Sequence, residues 1–329
     1  MTAGEPIGTV DLLVVGDCNP DVLVLGDDVT PEFGQHEKLV SAISLVVGGS
    51  AAITAVAAAR LGLRVALVAA IGADPAGEFM RGQLEMAGVG TSAIVVRPAV
   101  ATGITVALAQ ADACDRAILT ATGAMTSLTA DDVPRNLLAA ARHVHVSSYF
   151  LLEQSLGPGL AALLAKARAH GASTSVDTNW DPAGRWGGSQ LREVLAQTDI
   201  LLPNEEEALR LSGKLTLEAA VATLTSAGPD VVVKLGARGA MCAVGALIHW
   251  ITPPSRLDGA FVDATGAGDC FNAGLIAGLE RGLDLPTAAR LGCAVGSAST
   301  RAAGGTAAAP DILTARRLAA IPENAPAAG

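Results

Sequence analysis

Aromatic side chains are scarce in this 329-residue sequence: one Tyr, five Phe and three Trp. Its core must therefore be packed from Ala, Val, Leu and Ile, within a hydrophobic content of 50%. Charge is sparse too, at 16% of residues, with 22 Lys and Arg against 32 Asp and Glu for a net charge of −10. No cluster of Lys and Arg relieves that balance, so neither nucleic acid nor an anionic membrane is expected as a partner. The five cysteines, Cys18, Cys114, Cys242, Cys270 and Cys293, never form a C-x-x-C pair. Neither a disulfide framework nor a zinc site is expected, and scattered thiols suit a cytoplasmic setting. Met1 to Val10 has no basic patch ahead of an apolar run, so no secretory signal is expected there.

Several familiar signatures are missing as well. No G-x-x-x-x-G-K-[ST] occurs, no G-x-G-x-x-G follows the first apolar run, and both the protein-kinase motifs and the G-x-S-x-G elbow are absent. One uncharged run, Leu39 to Ala59, is 21 residues long, enough to cross a bilayer. Gly48-Gly49-Ser50 interrupts it, and much of the rest is Ala, Ser and Thr. A short strand, a glycine turn and a buried helix are expected instead.

What is present is an alternation of strand and helix patterns. Val10 to Val15, ended by Gly16, reads as a buried strand; Ala51 to Leu61 reads as a helix closed by Gly62. Val65 to Ile71 reads as another strand, and Asp74-Pro75 opens a helix that ends near Gly88. The second half repeats the rhythm: strand Val144 to Ser147, helix Leu160 to His170, strand Ser173 to Asp177, and Ile200 to Leu202 before a helix from Asn204. Val231 to Lys234 then runs into Gly236, and a turn at Gly266 leads into a helix reaching Leu283. This order predicts a mostly parallel sheet covered on both faces, in one domain over 1–329, with neither repeat nor linker to divide it. The segments 22–47 and 93–120 lack helical periodicity. They are expected to form a small accessory sheet, either a lid over a cleft or a contact between subunits.

The sharpest local pattern is Asp263-Ala264-Thr265-Gly266-Ala267-Gly268-Asp269. Small residues there let backbone N–H groups converge at the mouth of a helix, where unpaired amides and the helix dipole favour an anion. Such a nest can hold the charge of a transferring phosphoryl group, and Asp269 beside it can accept the proton of an attacking hydroxyl. The plainer reading is that Asp269 only caps the helix. His143 and His145 alternate as strand residues facing core or solvent do, rather than as metal ligands.

The heptapeptide resembles the Asp-Thr-Thr-Gly-Ala-Gly-Asp signature of the ribokinase-like carbohydrate kinases, with Ala264 in place of the first Thr. Gly16 to Asp21, Gly48-Gly49, Ile71 to Asp74, Asp177 to Asn179, Asn204 to Glu207 and Lys234 to Gly239 resemble that family's other motifs in the same order. The resemblance implies a three-layer α/β/α sandwich with a small β-sheet lid, and an ATP-dependent kinase acting on a sugar hydroxyl. It implies Asp269 as general base, and Gly266, Ala267 and Gly268 as an anion hole. Asn19 and Asp21, with the Gly48-Gly49 turn, are implied to hold the acceptor. Asn179, Asn204, Glu207, Lys234, Gly236 and Gly239 are implied near the nucleotide, with Asn204 and Glu207 ordering water on Mg²⁺. Asp263 and the Thr265 carbonyl are implied beside a monovalent cation, K⁺, closed partly by Ser299 to Gly304. A homodimer through the lid strands is implied by dimeric relatives.

Each of these residues also has a plain structural role open to it. Asn204 and Glu207 fit a helix capping box, Gly236 and Gly239 fit turns, Asn19 fits an Asx turn, and Lys234 fits a solvated strand end. One position departs from the family pattern. Ile53 stands where the family has an Asn that bonds substrate hydroxyls, so ribose is not expected to be the best acceptor. A nucleoside acceptor calls for stacking rings, and only Phe33, Phe79, Tyr149 and Phe150 are candidates, which favours a sugar. A sugar acid calls for an Arg, for which Arg97 is the candidate. A non-catalytic sugar- or nucleotide-binding regulator on the same fold is the alternative of a different class.

Overall fold

The computed structural model describes residues 9–110, 116–245, 247–255 and 257–322. Cys114 and part of the second accessory segment, 111–115, lie outside the described residues. Among the described residues the strands are β1 (Val10–Val15), β2 (Asn19–Gly26), β3 (Ala42–Gly48), β4 (Val65–Val68), β5 (Ala70–Gly72), β6 (Val95–Arg97), β7 (Ile104–Gln110), β8 (Arg116–Ala121), β9 (Ala141–Val146), β10 (Ser173–Val176), β11 (Ile200–Leu201), β12 (Asp230–Lys234), β13 (Ala240–Val244) and β14 (Leu247–Ile251). The helices are α1 (Ser50–Arg60), α2 (Pro75–Met86), α3 (Arg135–Ala140), α4 (Tyr149–Leu152), α5 (Gly157–Ala169), α6 (Ser189–Leu195), α7 (Glu205–Ser212), α8 (Leu217–Thr225), α9 (Ala267–Leu279), α10 (Leu285–Ser299) and α11 (Ile312–Leu318).

Eight strands form one sheet in the order β14-β13-β12-β11-β10-β9-β1-β4. It is parallel from β4 to β12 and antiparallel at the β13–β14 edge. Strand alternation sends Leu12 and Val14 to one face and Leu13 and Val15 to the other, which is why both faces need helices. Helices α1, α2, α9, α10 and α11 pack on the first face, and α3 to α8 on the second. The expected three-layer α/β/α arrangement is present.

The uncharged run Leu39 to Ala59 is divided between β3 and α1 at Gly49, whose φ of 78° takes the left-handed region that glycine tolerates. No helix of the described residues is long and apolar enough to cross a membrane.

Several boundaries differ from the pattern-based expectation, and α9 ends at Leu279, short of the expected Leu283. Val65 to Ile71 is not one strand: β4 pairs with β1 as far as Val68, and β5 then leaves the sheet to pair with β6. Every side chain from Val65 to Ile71 is apolar and buried, so the break has no local mark. It is set by partners, with the Val95 amide donating to the Ala69 carbonyl at 2.8 Å. Val95–Arg97 therefore belongs with β5 and not with the accessory sheet. That sheet has the order β3-β2-β7-β8 and begins at Asn19, so Asn19 and Asp21 lie within β2 itself.

Candidate active site

In a parallel α/β sheet the carboxyl ends of the strands form the crevice where ligands bind. Here those ends carry Asp17 after β1, Asp177 and Asn179 after β10, and Lys234 at the end of β12. The turn before α9 is placed against them. Gly266 caps α9 with φ 69°, and a Cβ there would approach Gly305 Cα to 2.6 Å, so the turn demands glycine twice over. The Ala267 amide donates to the Ala264 carbonyl at 3.2 Å, which engages it within the turn. Gly268 and Asp269 are then the first-turn residues whose amides have no acceptor within the helix.

Lys234 lies across this helix mouth. Its Nζ is 3.5 Å from the point that a Gly268 Cβ would occupy, and it forms an ion pair with Asp177. Asn272 Nδ2 donates to the same Asp177 oxygen at 2.6 Å. Burial opposes ionisation of Asp177, but the Lys234 ammonium and these hydrogen bonds hold its carboxyl below the usual range. Asp269 goes the other way. Burial first, then repulsion from Asp177, raises it well above an ordinary aspartate.

Asn204 and Glu207 do form the capping box of α7: Asn204 Oδ1 accepts the Glu207 amide at 2.9 Å and a Glu207 carboxylate oxygen accepts the Asn204 amide at 2.8 Å. The Lys234 amide donates to the Pro203 carbonyl at 2.9 Å, which brings this box alongside the β12 end. Burial and the nearby Asp177 push the Glu207 carboxyl up to about 7. Capping and membership of the site hold together.

At the start of the accessory sheet, Asn19 Nδ2 donates to Asp21 Oδ1 at 3.1 Å and to Thr105 Oγ1 on β7 at 3.0 Å. A Cβ on Gly48 would fall 1.9 Å from Asp21 Oδ1, so the glycine makes room for that carboxylate. Asn19, Asp21, Gly48 and Gly49 are thus brought together. Asp263 clips two segments: Oδ1 accepts the Thr265 amide at 2.9 Å and hydroxyl at 2.8 Å, and Oδ2 accepts the Gly304 amide at 2.9 Å. Gly236 and Gly239, with φ 58° and 91°, shape the turn from β12 to β13, and the Leu235 amide closes it on the Gly239 carbonyl at 2.9 Å.

Ile53 is 3% exposed. Its side chain packs beneath the α9 turn, within 3.0–3.1 Å of where Cβ atoms on Gly266 and Gly305 would sit. Arg97 is taken out of contention for a sugar acid by Asp132, 2.7 Å away, and by Ser127. Among the candidate rings, Phe33 is fully exposed, Tyr149 and Phe150 are buried, and Phe79 packs on the core. Pattern reading missed Asp17, Ser50, Thr105, Asn272 and Trp180. Asp17 accepts the first amides of α1, from Ser50 and Ala51, at 3.0 Å each. Trp180 is half-exposed beside Asn179, with the Arg210 guanidinium 5.3 Å from its ring centroid. Only Asp17 lay inside a motif string.

The profile of the pfkB family carbohydrate kinases matches residues 10–312. A nucleoside kinase of Methanothermobacter thermautotrophicus is 29% identical over 289 residues, covering 87% of this chain and 88% of that protein. An ATP-dependent ribose-1-phosphate kinase of Halopiger xanaduensis is 32% identical over 272 residues, covering 82% and 84%. Among solved structures, a putative ribokinase II of E. coli in complex with ATP and Mg²⁺ superposes with a TM-score of 0.80 at 24% identity, covering 94% of this chain and 98% of that one.

Proposed function

The chain belongs to the pfkB family of carbohydrate kinases, and from that premise we propose that it transfers the γ-phosphoryl group of ATP to a sugar hydroxyl with Asp269 as general base. The observation that carries this reading is the buried Asp269 carboxylate in the first turn of α9, beside open amides and under Lys234. Asp269 takes the proton of the acceptor hydroxyl. The oxygen attacks the γ-phosphorus, the bond from that phosphorus to its bridging oxygen breaks, and ADP leaves. The Gly268 and Asp269 amides and Lys234 face the charge gathering on the transferred group, where fixed donors in a dry site act most strongly. A carboxyl raised by burial is also the stronger base near neutral pH.

Among the described residues no three acidic, His or Cys side chains are grouped to hold a metal ion directly, so Mg²⁺ would be held here through water. Glu207 and Asn204 would hold the ion through water, and when bound it neutralises phosphate charge. Asp263 Oδ2 retains a lone pair beyond its bond to Gly304, which supports a K⁺ beside it and the Thr265 carbonyl. The accessory sheet acts as the lid, with Asp21 and Thr105 opposite each other on it beside the acceptor turn.

Ile53 fills the space under Gly266 with hydrocarbon, so an acceptor gains no hydrogen bond there and ribose is disfavoured. Of the candidate rings, Tyr149, Phe150 and Phe79 are packed into the core, which supports a sugar. A nucleoside acceptor is the second reading, favoured by the half-exposed Trp180. ADP release measured across a panel of sugars and nucleosides tests both, with a sugar other than ribose expected to give the highest kcat/KM. Ribose as best acceptor overturns the Ile53 argument, and a nucleoside overturns the sugar. ADP release with none of them leaves the non-catalytic regulator.

The outer face of the lid carries two uncovered apolar rows, Leu45-Val22-Val106-Leu119 and Ile43-Val24-Leu108-Ala117, matched strand by strand. Ile43 and Leu119 are 66% and 63% exposed. A second copy of the chain is the occupant proposed for this face. Light scattering is expected to give a dimer mass that Leu45→Glu reduces to the monomer; a monomeric parent refutes it.

A further inference from the structure

Beyond Asp269, the buried residues of α9 are small or apolar, with one exception. Asn272 is wholly buried. Its Nδ2 donates to Asp177 Oδ2 at 2.6 Å, and its Oδ1 has no partner among the described residues. The opposite amide orientation would set that oxygen against a carboxylate, so the nitrogen is the atom that faces Asp177. A buried amide left half-satisfied costs stability, and such a group calls for an explanation. The explanation lies in what Asp177 holds.

Asp177 collects donors from β12, from α9 and from its own turn. Lys234 Nζ forms an ion pair with Oδ2, Asn272 Nδ2 shares that oxygen, and the Asn179 amide donates to Oδ1 at 3.2 Å. Lys234 in turn lies over the first turn of α9, with Nζ 3.5 Å from the point that a Gly268 Cβ would occupy. Its main chain is fixed separately, because its amide donates to the Pro203 carbonyl at 2.9 Å. What remains to be aimed is an ammonium on a flexible four-carbon stem. Among the described residues that ammonium is ion-paired to Asp177 alone. Asn272 follows Gly268 by four positions and Asp269 by three, so the three stand on one face of the helix. Helix α9 therefore meets the ends of β10 and β12 twice, through the open amides of its first turn and through Asn272 one turn on.

Resting on the kinase reading above, we propose that Asn272 is a positioning residue for Lys234. It fixes the Asp177 carboxylate, and Asp177 holds the ammonium where it converges with the Gly268 and Asp269 amides on the transferred group. Asn272 itself touches neither nucleotide nor acceptor. Without its amide, Asp177 is free to turn about its side-chain torsions, and the Lys234 stem follows it away from the helix mouth. Donors already aimed at one point stabilise charge as it gathers, and a small displacement forfeits much of that effect. Because this charge develops in the transition state, the loss falls on kcat and not on KM. An asparagine that only fastened α9 to the sheet would lower the melting temperature and leave the rate alone.

The test measures ADP release with the best sugar of the acceptor panel. It uses Asn272→Leu, close in size but without a donor, alone and combined with Asp177→Asn, and melting temperatures are recorded for each protein. Asn272→Leu is expected to lower kcat about tenfold, the size of one hydrogen bond to a charged group, with KM for ATP and for the sugar little changed. In the Asp177→Asn background the same substitution is expected to cost nothing further, since the residue it acts through is already altered.

A second readout does not depend on turnover. The chain has four lysines, Lys38, Lys166, Lys214 and Lys234, and only Lys234 is paired with a buried carboxylate among the described residues. Its ammonium is expected to give an NMR signal slow to exchange protons with water, assigned by its loss in Lys234→Met. Asn272→Leu is expected to shift that signal and to speed the exchange. A parental kcat in the folded variant, a loss carried by KM, a further loss in the Asp177→Asn background, or an unmoved Lys234 signal overturns the proposal. Should Asn272→Leu not fold, the shorter Asn272→Ser takes its place with the same expectations, and failure of both to fold also overturns it. A parent that releases ADP with no acceptor overturns the kinase reading instead, and the Lys234 signal still reports whether Asn272 positions the ammonium.

Discussion

Replacing Asp269 with Asn is expected to cut kcat by about a hundred- to ten-thousand-fold, the range a lost general base accounts for, while ATP affinity stays close to the parent's. Asparagine keeps the shape, but it cannot take a proton. Stability is expected to move the opposite way. Asp269 is raised in the folded protein by burial and by Asp177, so folding disfavours its ionised form. That cost is absent below the ordinary aspartate range, appears as pH rises through it, and is complete above the raised folded value. At neutral pH the variant is relieved of a buried charge that repels Asp177 and Asp17, so its melting temperature should equal or exceed the parent's. Catalytic groups held at the expense of stability behave in this way. A variant that melts well below the parent at pH 7, or that turns over at the parent's rate, contradicts the assignment.

Much of this site could be read before any coordinates, and the reason is range. The Gly266 turn, the Asn204–Glu207 box and the Asp74 cap each occupy a few consecutive residues, so their spacing alone reports their geometry. The alternation of strand and helix likewise announces a covered parallel sheet, since a strand apolar on both sides needs two layers. What escaped is what the chain brings together across distance. The Asp17 carboxylate reaches amides 33 residues away, and Asn179 reaches Ser50 across 129 residues. No periodicity encodes either contact. Arg97 was equally illegible: a lone Arg invites a ligand, whereas Asp132, 35 residues on, neutralises it. Ile53 shows the converse. Its loss of a polar group was plain, but only packing shows it wedged under Gly266 and Gly305.

Acidification is expected to expose a second consequence of burial, at His143 and His145. Both rings are wholly buried in β9, and four hydrogen bonds make them one ladder. His143 Nδ1 and Nε2 meet Ser173 and Ser175 at 2.7 Å each, and His145 Nδ1 meets the same Ser175 at 2.7 Å, with Nε2 meeting Ser147 at 2.9 Å. Every rung shares one proton, so neutral rings with a single donor direction satisfy the whole ladder, and a charged ring breaks it. Burial holds His143 down to about 3 and His145 to about 4, against 6.5 for an exposed ring. The folded protein therefore binds these protons later than the unfolded chain does. Stability is complete above pH 6.5 and is lost as pH falls from there toward 4, at about 1.4 kcal/mol per unit for each ring. Glu207, raised to about 7, works against this loss, as do Asp17 and Asp269, because the folded state takes their protons first. The rings' own share is read by difference: between pH 6.5 and 4.5 the parent should lose more, or gain less, stability to urea than a His143→Gln variant. NMR of the imidazole carbons separates the contributions: in the folded protein neither ring should titrate above pH 5. A His143 or His145 signal with its midpoint near 6.5 would mean that the ladder opens to water, and the predicted acid lability would go with it.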